Sequence, residues 1–86
     1  MRFKIVNQDK EFVEEINLDK IVREELQRLI YKYPQYGLSL DPNVTTFTCK
    51  GIINQDDKKL GQTFRQLRLK QNSVISIEDK REVELA

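Results

Sequence analysis

The apolar residues of the chain change their spacing several times, and each change marks a new element. Residues 2–6, RFKIV, alternate between charged and apolar side chains, which predicts a strand. A polar turn follows at residues 7–10, and residues 11–18 again combine apolar residues with carboxylates. The first 18 residues therefore predict a β-hairpin.

A helical period begins after Asp19, whose side chain can cap a helix. The next apolar positions advance by one and three residues in turn, as on one side of a helix. The seven positions of this stripe, all apolar except Glu25, are Ile21, Val22, Glu25, Leu26, Leu29, Ile30 and Tyr33. Pro34 ends this pattern, because the residue before a proline avoids the helical region. The sequence predicts one amphipathic helix over residues 20–33, which needs a sheet to cover its apolar stripe.

Short groups of apolar residues separated by turns occupy the middle of the chain. A turn at residues 41–43 precedes residues 44–49, whose β-branched side chains predict a third strand. A tight turn at residues 50–51 leads to residues 52–53, which predict a short fourth strand. Residues 54–59, NQDDKK, have no periodicity and predict a polar loop.

The segment TFRQLRLKQNSVISIE, which begins at Thr63, spaces its apolar residues in a way that neither a helix nor a strand explains alone. Thr63 can cap a single helical turn, after which the chain straightens, reverses and leaves as the last strand. On this path every apolar anchor of the segment points inward. The anchors are Phe64, Leu67, Leu69, Ile75 and Ile77.

Together these elements predict an α+β fold in which a mixed four- to five-stranded sheet packs on one helix. The order ββαββ, with a short helical turn before the last strand, is that of a β-grasp domain. The first and last strands are expected to lie side by side and parallel at the centre of the sheet. Residues 1–78 are predicted to form the domain. Residues 79–86 form a charged tail that frays, extends the last strand or docks on a partner.

Composition limits the functional classes. The 86 residues include 15 basic and 14 acidic side chains, and this net charge of +1 argues against a dedicated nucleic-acid binder. The single cysteine cannot form an internal disulfide, and no apolar run has the length of a signal peptide or a membrane span. We therefore expect a cytoplasmic protein that does not insert into a membrane.

Candidate catalytic chemistry is sparse. The chain has no histidine, so the usual general base near neutral pH is missing. The carboxylate pairs at residues 14–15, 24–25 and 56–57 are sequence neighbours whose side chains diverge, and they are expected to be solvated. Cys49, on a predicted strand, is expected to be a small buried residue rather than a reactive thiol. We expect no enzymatic activity, no cofactor and no metal.

Two groups of residues are candidates for partner binding. Tyr31 and Tyr36 flank Pro34, and they either pack over the helix end or stand exposed as interface anchors. A cluster of basic residues in the second half forms a solvated face or contacts an acidic protein, a phosphate or RNA. The cluster consists of Lys58, Lys59, Arg65, Arg68 and Lys70.

From Gly51 onward the chain resembles ubiquitin and its relatives. In that family a turn glycine and a loop precede apolar anchors at steps of 3, 2, 6 and 2, and the five anchors named above follow these steps. The loop is longer than in ubiquitin itself, and residue-level similarity covers residues 46–78. The resemblance implies a ubiquitin-like β-grasp domain, a fold that hosts many functions.

The chain also departs from the family. Covalent modifiers and sulfur carriers use a Gly-Gly tail, and no Gly-Gly occurs in this sequence. The positions of the apolar recognition patch of ubiquitin fall near Gln8, Thr48 and Glu78, all of them polar. A single cysteine likewise excludes an iron–sulfur β-grasp protein.

These departures fit a bacterial subgroup, the YukD/EsaB-like proteins, which lack the Gly-Gly tail and accompany type VII-like secretion systems. Residues 54–78 resemble their C-terminal half in pattern. The resemblance implies a non-enzymatic protein-interaction module that acts by noncovalent contacts with other proteins. Two alternatives stay open, namely a ubiquitin-like covalent modifier with an atypical C-terminus and a basic-faced nucleic-acid-binding module.

Overall fold

The computed structural model describes residues 1–80. Their elements are β1 Arg2–Ile5, β2 Lys10–Val13, α1 Val22–Lys32, a 3-10 turn Pro34–Tyr36, β3 Thr45–Thr48, α2 Asp57–Leu60 and β4 Val74–Asp79. The four strands form a mixed sheet of the order β2-β1-β4-β3, with β1 and β4 parallel and both outer pairs antiparallel. The fold is α+β with one main helix, in a layout consistent with a β-grasp.

The first and last strands lie at the centre of the sheet, as predicted. Phe3 of β1 pairs with Phe12 of β2 on one side and with Ile75 of β4 on the other. Ile5 pairs with Ile77 in the same way. These side chains are buried in one core with the apolar stripe of α1, because alternate residues of a strand point to the same face.

The helix buries most of the predicted stripe, but Ile21 lies before its first residue and is exposed. Val22, Leu26 and Leu29 are almost fully buried, and each such side chain contributes on the order of 1.5–3 kcal/mol relative to full exposure. Pro34 begins the 3-10 turn, so α1 ends where the sequence predicts. The helix therefore anchors one face of the sheet and leaves the other face uncovered.

The predicted cap by Asp19 is wrong. The residue before the helix is Ile21, no side chain caps it, and the amide of Val22 instead donates to the carbonyl of Gln62 at 2.8 Å. Asp19 accepts a hydrogen bond from Nε of Arg65 at 2.7 Å. A carbonyl distant in sequence thus replaces the local cap.

The second strand is shorter than predicted. It ends at Val13 rather than at residue 18, and Ile16 then exchanges hydrogen bonds with the side chain of Gln71 instead of a strand partner. Ile16 is buried, so the apolar residue that favours a longer strand reaches the core from a loop.

Two predictions for the middle of the chain are also wrong. Residues 52–53 form no strand, and Ile52 makes only an isolated bridge to Thr48. The predicted polar loop at residues 54–59 contains the start of α2. Asp56 caps this short helix by accepting a hydrogen bond from the amide two residues further on, at 2.8 Å.

The loop before β4 follows the predicted path. The hydroxyl of Thr63 accepts from the amide of Gln66 at 3.1 Å, and the Gln66 side chain accepts from the Thr63 amide at 2.9 Å. This reciprocal pair is a capping box. Phe64 and Leu69 are buried on either side of the helical turn, and a turn at residues 70–73 leads into β4.

The sheet extends past the predicted domain end at residue 78. Strand β4 runs through Asp79, and the amide of Lys80 donates to the carbonyl of Val44 at 2.8 Å. Residues 81–86, which make up most of the predicted tail, lie outside the described residues. None of the helices between residues 1 and 80 has the length and apolar character needed to cross a membrane.

Candidate interaction surface

The face of the sheet that points away from α1 is exposed except at the buried Thr46 and the half-buried Ser76 and Thr48, and we call it the open face. It arises because side chains alternate along each strand, so the residues between the core positions point to solvent. The exposed strand residues that define it are Arg2, Lys4, Glu11, Val13, Val74 and Glu78.

A row across the open face combines two valines with an arginine, and we call it the valine row. Arg2 of β1 pairs with Val13 of β2 and with Val74 of β4, so the three residues are adjacent. Val13 is 64% exposed and Val74 is 42% exposed. With Met1 they line a shallow hollow of about 260 Å³. Apolar surface beside an arginine is a composition that protein interfaces favour.

The valine row differs in position from the apolar patch of ubiquitin. The resemblance places that patch near Gln8, Thr48 and Glu78, and Glu78 lies four residues along β4 from Val74. At the rise of a strand this is about 13 Å. Gln8 donates to Asp79 at 3.4 Å rather than offering an apolar contact. Val13 and Val74 therefore lie at the other end of the open face, whereas the exposed Val6, just after β1, lies at the end near Glu78.

The β3 edge of the sheet is closed by one buried side chain. Thr46 of β3 directs its backbone N–H and C=O groups toward β4, so the corresponding groups of Thr45 and Phe47 point outward, away from the sheet. Asn54, which is 3% exposed, accepts from the amide of Phe47 at 3.1 Å and donates to the carbonyl of Thr45 at 2.7 Å. It also donates to the carbonyl of Leu40 at 3.0 Å. A side-chain amide thus takes the place of a neighbouring strand.

The other two outward groups of β3 are also satisfied. The amide of Thr45 donates to the carbonyl of Asp41 at 2.9 Å, and the carbonyl of Phe47 accepts from the amide of Ile53 at 2.7 Å. Cys49, just beyond the strand, is half-buried and packs against the core. The β3 edge therefore presents no free donor or acceptor at these residues to an added strand.

The β2 edge, in contrast, is open. Met1 and Glu14 exchange backbone hydrogen bonds at 2.6 and 2.9 Å, so the backbone groups of Glu14 point toward β1. Because these groups point to opposite sides in successive residues of a strand, the N–H and C=O groups of Glu11 and Val13 point outward, away from β1. Between residues 1 and 80 these outward groups have no hydrogen-bond partner. Lys10 and Glu11 place charges on this edge, a common protection against uncontrolled strand pairing.

Glu14 holds a charged network behind the β2 edge. Its carboxylate lies 2.7 Å from Nζ of Lys32 and 3.7 Å from a guanidinium nitrogen of Arg28, and it accepts from the hydroxyl of Tyr33. The hydrogen bonds from Lys32 and Tyr33 hold the pKa of Glu14 below its ordinary value, and the bond to Glu14 raises the pKa of Tyr33. Glu14 is therefore ionised at neutral pH.

Glu25 is a second buried carboxylate. Burial alone would raise its pKa, but hydrogen bonds from Nε of Arg28 at 2.8 Å and from the amide of Asn17 at 2.9 Å outweigh burial, and the pKa is lowered. The expectation of solvated carboxylates is therefore wrong for Glu14 and Glu25. Their sequence neighbours are exposed, which confirms that the members of each pair diverge.

The basic residues predicted to bind a partner lie on separate segments. Lys58 and Lys59 belong to α2. Arg68 and Lys70 lie in the turns before β4, where Arg68 has a φ of 63°. Arg65 lies in the helical turn, with its guanidinium 2.7 Å from Oδ1 of an aspartate. All are exposed except Lys59, which is half-buried.

The charge of Arg65 is partly neutralised by Asp19. Its hydrogen bond to Asp19 raises the pKa of Arg65 and lowers that of Asp19. Both residues line a polar cleft of about 570 Å³ between residues 15–19, α1 and the turn at residue 71. No buried side-chain nitrogen or oxygen in the described part of the chain lacks a hydrogen-bond partner, so this cleft shows no orphaned group.

The two candidate tyrosines have different environments. Tyr31 is 81% exposed on the solvent side of α1. The ring of Tyr36 stacks on Phe12 and Tyr33, with centroids 5.6 and 5.8 Å apart. Tyr36 therefore packs over the helix end, and Tyr31 stays a candidate for partner contact.

Sequence reasoning does not identify Asn54 or Glu14 as structural residues. Asn54 lies in a segment without periodicity, and its role depends on the closure of the loop against β3. For Glu25 a signal exists, because a carboxylate within an apolar helical stripe predicts a buried acid that needs a cation. Arg28, three residues further along α1, supplies that cation.

Comparison with protein-family models, with curated proteins and with solved structures finds no match to this chain. The likeness to ubiquitin-like proteins therefore rests on the sequence pattern and on the layout of the sheet and helix. Function is inferred from the geometry of the described residues.

Proposed function

We propose that this chain is a ubiquitin-like β-grasp module that acts by noncovalent contact with other proteins and catalyses no reaction. The observation that carries the proposal is the valine row, in which two exposed valines flank an arginine on the open face of the sheet. Exposed apolar surface that adjoins charged side chains marks contact sites more often than scattered single residues do.

The chemistry of the valine row defines the kind of partner. Val13 and Val74 offer apolar contact, and Arg2 lies between them in the sheet. Glu11 is 3.4 Å from Arg2, so part of the arginine charge is already compensated. A partner segment with apolar side chains and one acidic group complements this surface.

The buried carboxylates support a non-catalytic role. A general acid that works near neutral pH needs a raised pKa, whereas the pKa values of Glu14 and Glu25 are lowered. Each carboxylate is held by basic side chains of α1. This arrangement ties the segment after β2 to the helix, which is a structural function.

Within this class we propose the role of a YukD-like accessory of a bacterial type VII-like secretion system, located in the cytoplasm. The support is the resemblance over residues 54–78 and the absence of Gly-Gly in the sequence. Neither alternative gains a specific observation. The basic residues lie on separate segments and Arg65 is paired with Asp19, and residues 81–86 lie outside the described residues.

A capture experiment with three immobilised proteins tests the proposal. The full chain, a Val74→Asp variant and a Lys58→Glu/Arg68→Glu variant are each incubated with lysate of the source cells, and bound proteins are identified by mass spectrometry. Val74 lies on a central strand, so the aspartate alters the open face without altering either edge.

We expect a protein that is retained by the full chain and by the Lys58→Glu/Arg68→Glu variant, and at least tenfold less by Val74→Asp. Circular dichroism checks that all three are folded. Capture of no protein by the full chain, or equal capture by Val74→Asp, would contradict the proposed contact surface.

A further inference from the structure

We propose that the β2 edge pairs antiparallel with the β2 edge of a second copy of this chain, so that the two sheets become continuous. This inference goes beyond the proposed function, because its contact is the strand edge and not the open face. It rests on which backbone groups of β2 point outward, on which side chains each register would place opposite one another, and on the closed β3 edge.

The outward groups of Glu11 and Val13 limit the pairing to three symmetric registers, because an antiparallel ladder joins outward groups to outward groups. Glu11 faces Glu11 of the second copy, Val13 faces Val13, or Glu11 faces Val13. The first register sets two carboxylates directly opposite. The second sets Glu11 opposite Glu15 of the other copy, which is also unfavourable.

The third register removes both of these contacts; it sets Asp9 opposite Glu15, but both of these residues lie outside β2. The two-fold axis then passes between the two copies of Phe12, and the ring of Phe12 can contact its equivalent across the axis. Lys10 lies opposite Glu14 of the other copy, whose buried carboxylate is already held by Lys32 and Arg28, so this pair adds no repulsion and little attraction. Backbone groups of Glu11 and Val13 form about four intermolecular hydrogen bonds in this arrangement. The third register is therefore the one that pairs both outward residues within β2 and avoids the Glu11–Glu11 and Glu11–Glu15 contacts.

The closed β3 edge explains why the pairing stops at two copies. If both edges were free, β2 of one copy could pair with β3 of the next, and such a heterologous contact grows without closing. Asn54 forms hydrogen bonds with the outward amide of Phe47 and the outward carbonyl of Thr45, so of the two edges only β2 is available for pairing. A two-fold contact between identical edges is then self-limiting.

The dimer would also change the open face. A two-fold axis perpendicular to the sheet keeps α1 of both copies on one side and both valine rows on the other. The two rows then lie on one continuous surface, which can bind a partner that has two contact segments.

Sedimentation velocity on the full chain tests the dimer. A contact limited to one short strand is weak, so we expect dimer to appear between about 0.1 and 1 mM protein. Val13→Pro should stay monomeric, because it removes an outward amide. A proline is tolerated on an edge strand where the amide faces solvent. Val13→Thr keeps the amide and is the matched control, which should dimerise within about threefold of the full chain.

A cross-linking experiment tests the register without depending on the proline variant. Glu11→Cys and Val13→Cys chains, each also carrying Cys49→Ala, are mixed and oxidised. In the third register these positions form a hydrogen-bonded pair about 5.5 Å apart at Cα, within the range of a disulfide. The two copies of residue 11 are diagonal, at about 7–8 Å.

We expect the mixed 11–13 disulfide to form at least about tenfold faster than the 11–11 disulfide, which lies beyond the usual span. A full chain that is monomeric at about 1 mM, a Val13→Pro variant that dimerises like the control, or a dominant 11–11 product overturns the proposal. Val74→Asp should still dimerise, so failure of the dimer and failure of the proposed function are distinguishable.

Discussion

Replacing Asn54 with alanine removes the side chain that closes the β3 edge. Asn54 is 3% exposed and makes three hydrogen bonds of 3.1, 2.7 and 3.0 Å, to Phe47, Thr45 and Leu40. Each bond contributes about 0.5–1.5 kcal/mol, and a buried group left without a partner costs more. We expect Asn54→Ala to lower the free energy of unfolding by about 2–4 kcal/mol.

This loss is large for a domain of 86 residues, whose total stability is expected to be about 4–13 kcal/mol. Urea unfolding followed by far-UV circular dichroism measures it, and thermal unfolding should show a fall in Tm of at least about 8 °C. The exposed Asn43→Ala variant, in the turn before β3, is the control. A free energy for Asn54→Ala within about 0.5 kcal/mol of the parent chain would refute the reasoning.

The same variant has a second readout. Loss of Asn54 frees the outward amide of Phe47 and the outward carbonyl of Thr45, so both edges of the sheet can pair with other chains. At protein concentrations where the parent chain forms only dimers, sedimentation should show larger species for Asn54→Ala. A distribution that stays at monomer and dimer would show that Asn54 does not control edge pairing.

Two further predictions concern the charged network and a turn. Because folding lowers the pKa of Glu14, its ionised carboxylate contributes fully to the free energy of unfolding above pH 4.5, its ordinary pKa. This contribution is lost as the pH falls through the pKa of Glu14 in the folded state. Glu14→Gln should therefore lower the free energy of unfolding by about 1–3 kcal/mol at pH 7 and by much less at pH 2, measured by urea unfolding. A difference in unfolding free energy between Glu14→Gln and the parent chain that is as large in acid as at neutral pH would contradict this. Gly51 has a φ of 110°, so Gly51→Ala should cost about 1–2 kcal/mol. Gly61→Ala, in helical geometry, should stay within about 0.5 kcal/mol in the same assay, and equal losses would refute the strain argument.

The sequence predicts the layout of the sheet and helix because local periodicity records which face of each element is buried. The apolar stripe of α1 assigns Leu26 to the core, and the alternation along β1 and β4 assigns Phe3 and Ile75 to it; all three are buried. The order of the strands follows from the same patterns and from short connections.

The remaining details depend on partners that are distant in sequence. The link between Asp19 and Arg65 and the closure of β3 by Asn54 require the completed fold, and neither has a periodic signal. The candidate site is predicted only in part. The adjacent apolar residues Phe12 and Val13 leave the register of the second strand undecided in the sequence, and the outward direction of the Val13 backbone groups follows from the hydrogen bonds between Met1 and Glu14.

Amide hydrogen exchange by NMR tests the unequal edges of the sheet most directly. In dilute protein the amides of Thr45 and Phe47 should be protected like those of the central strands, since both donate within the chain. The amides of Glu11 and Val13 should exchange nearly unprotected and gain protection as the concentration rises. Protected Glu11 and Val13 amides in dilute protein, or an unprotected Phe47 amide, would contradict the account.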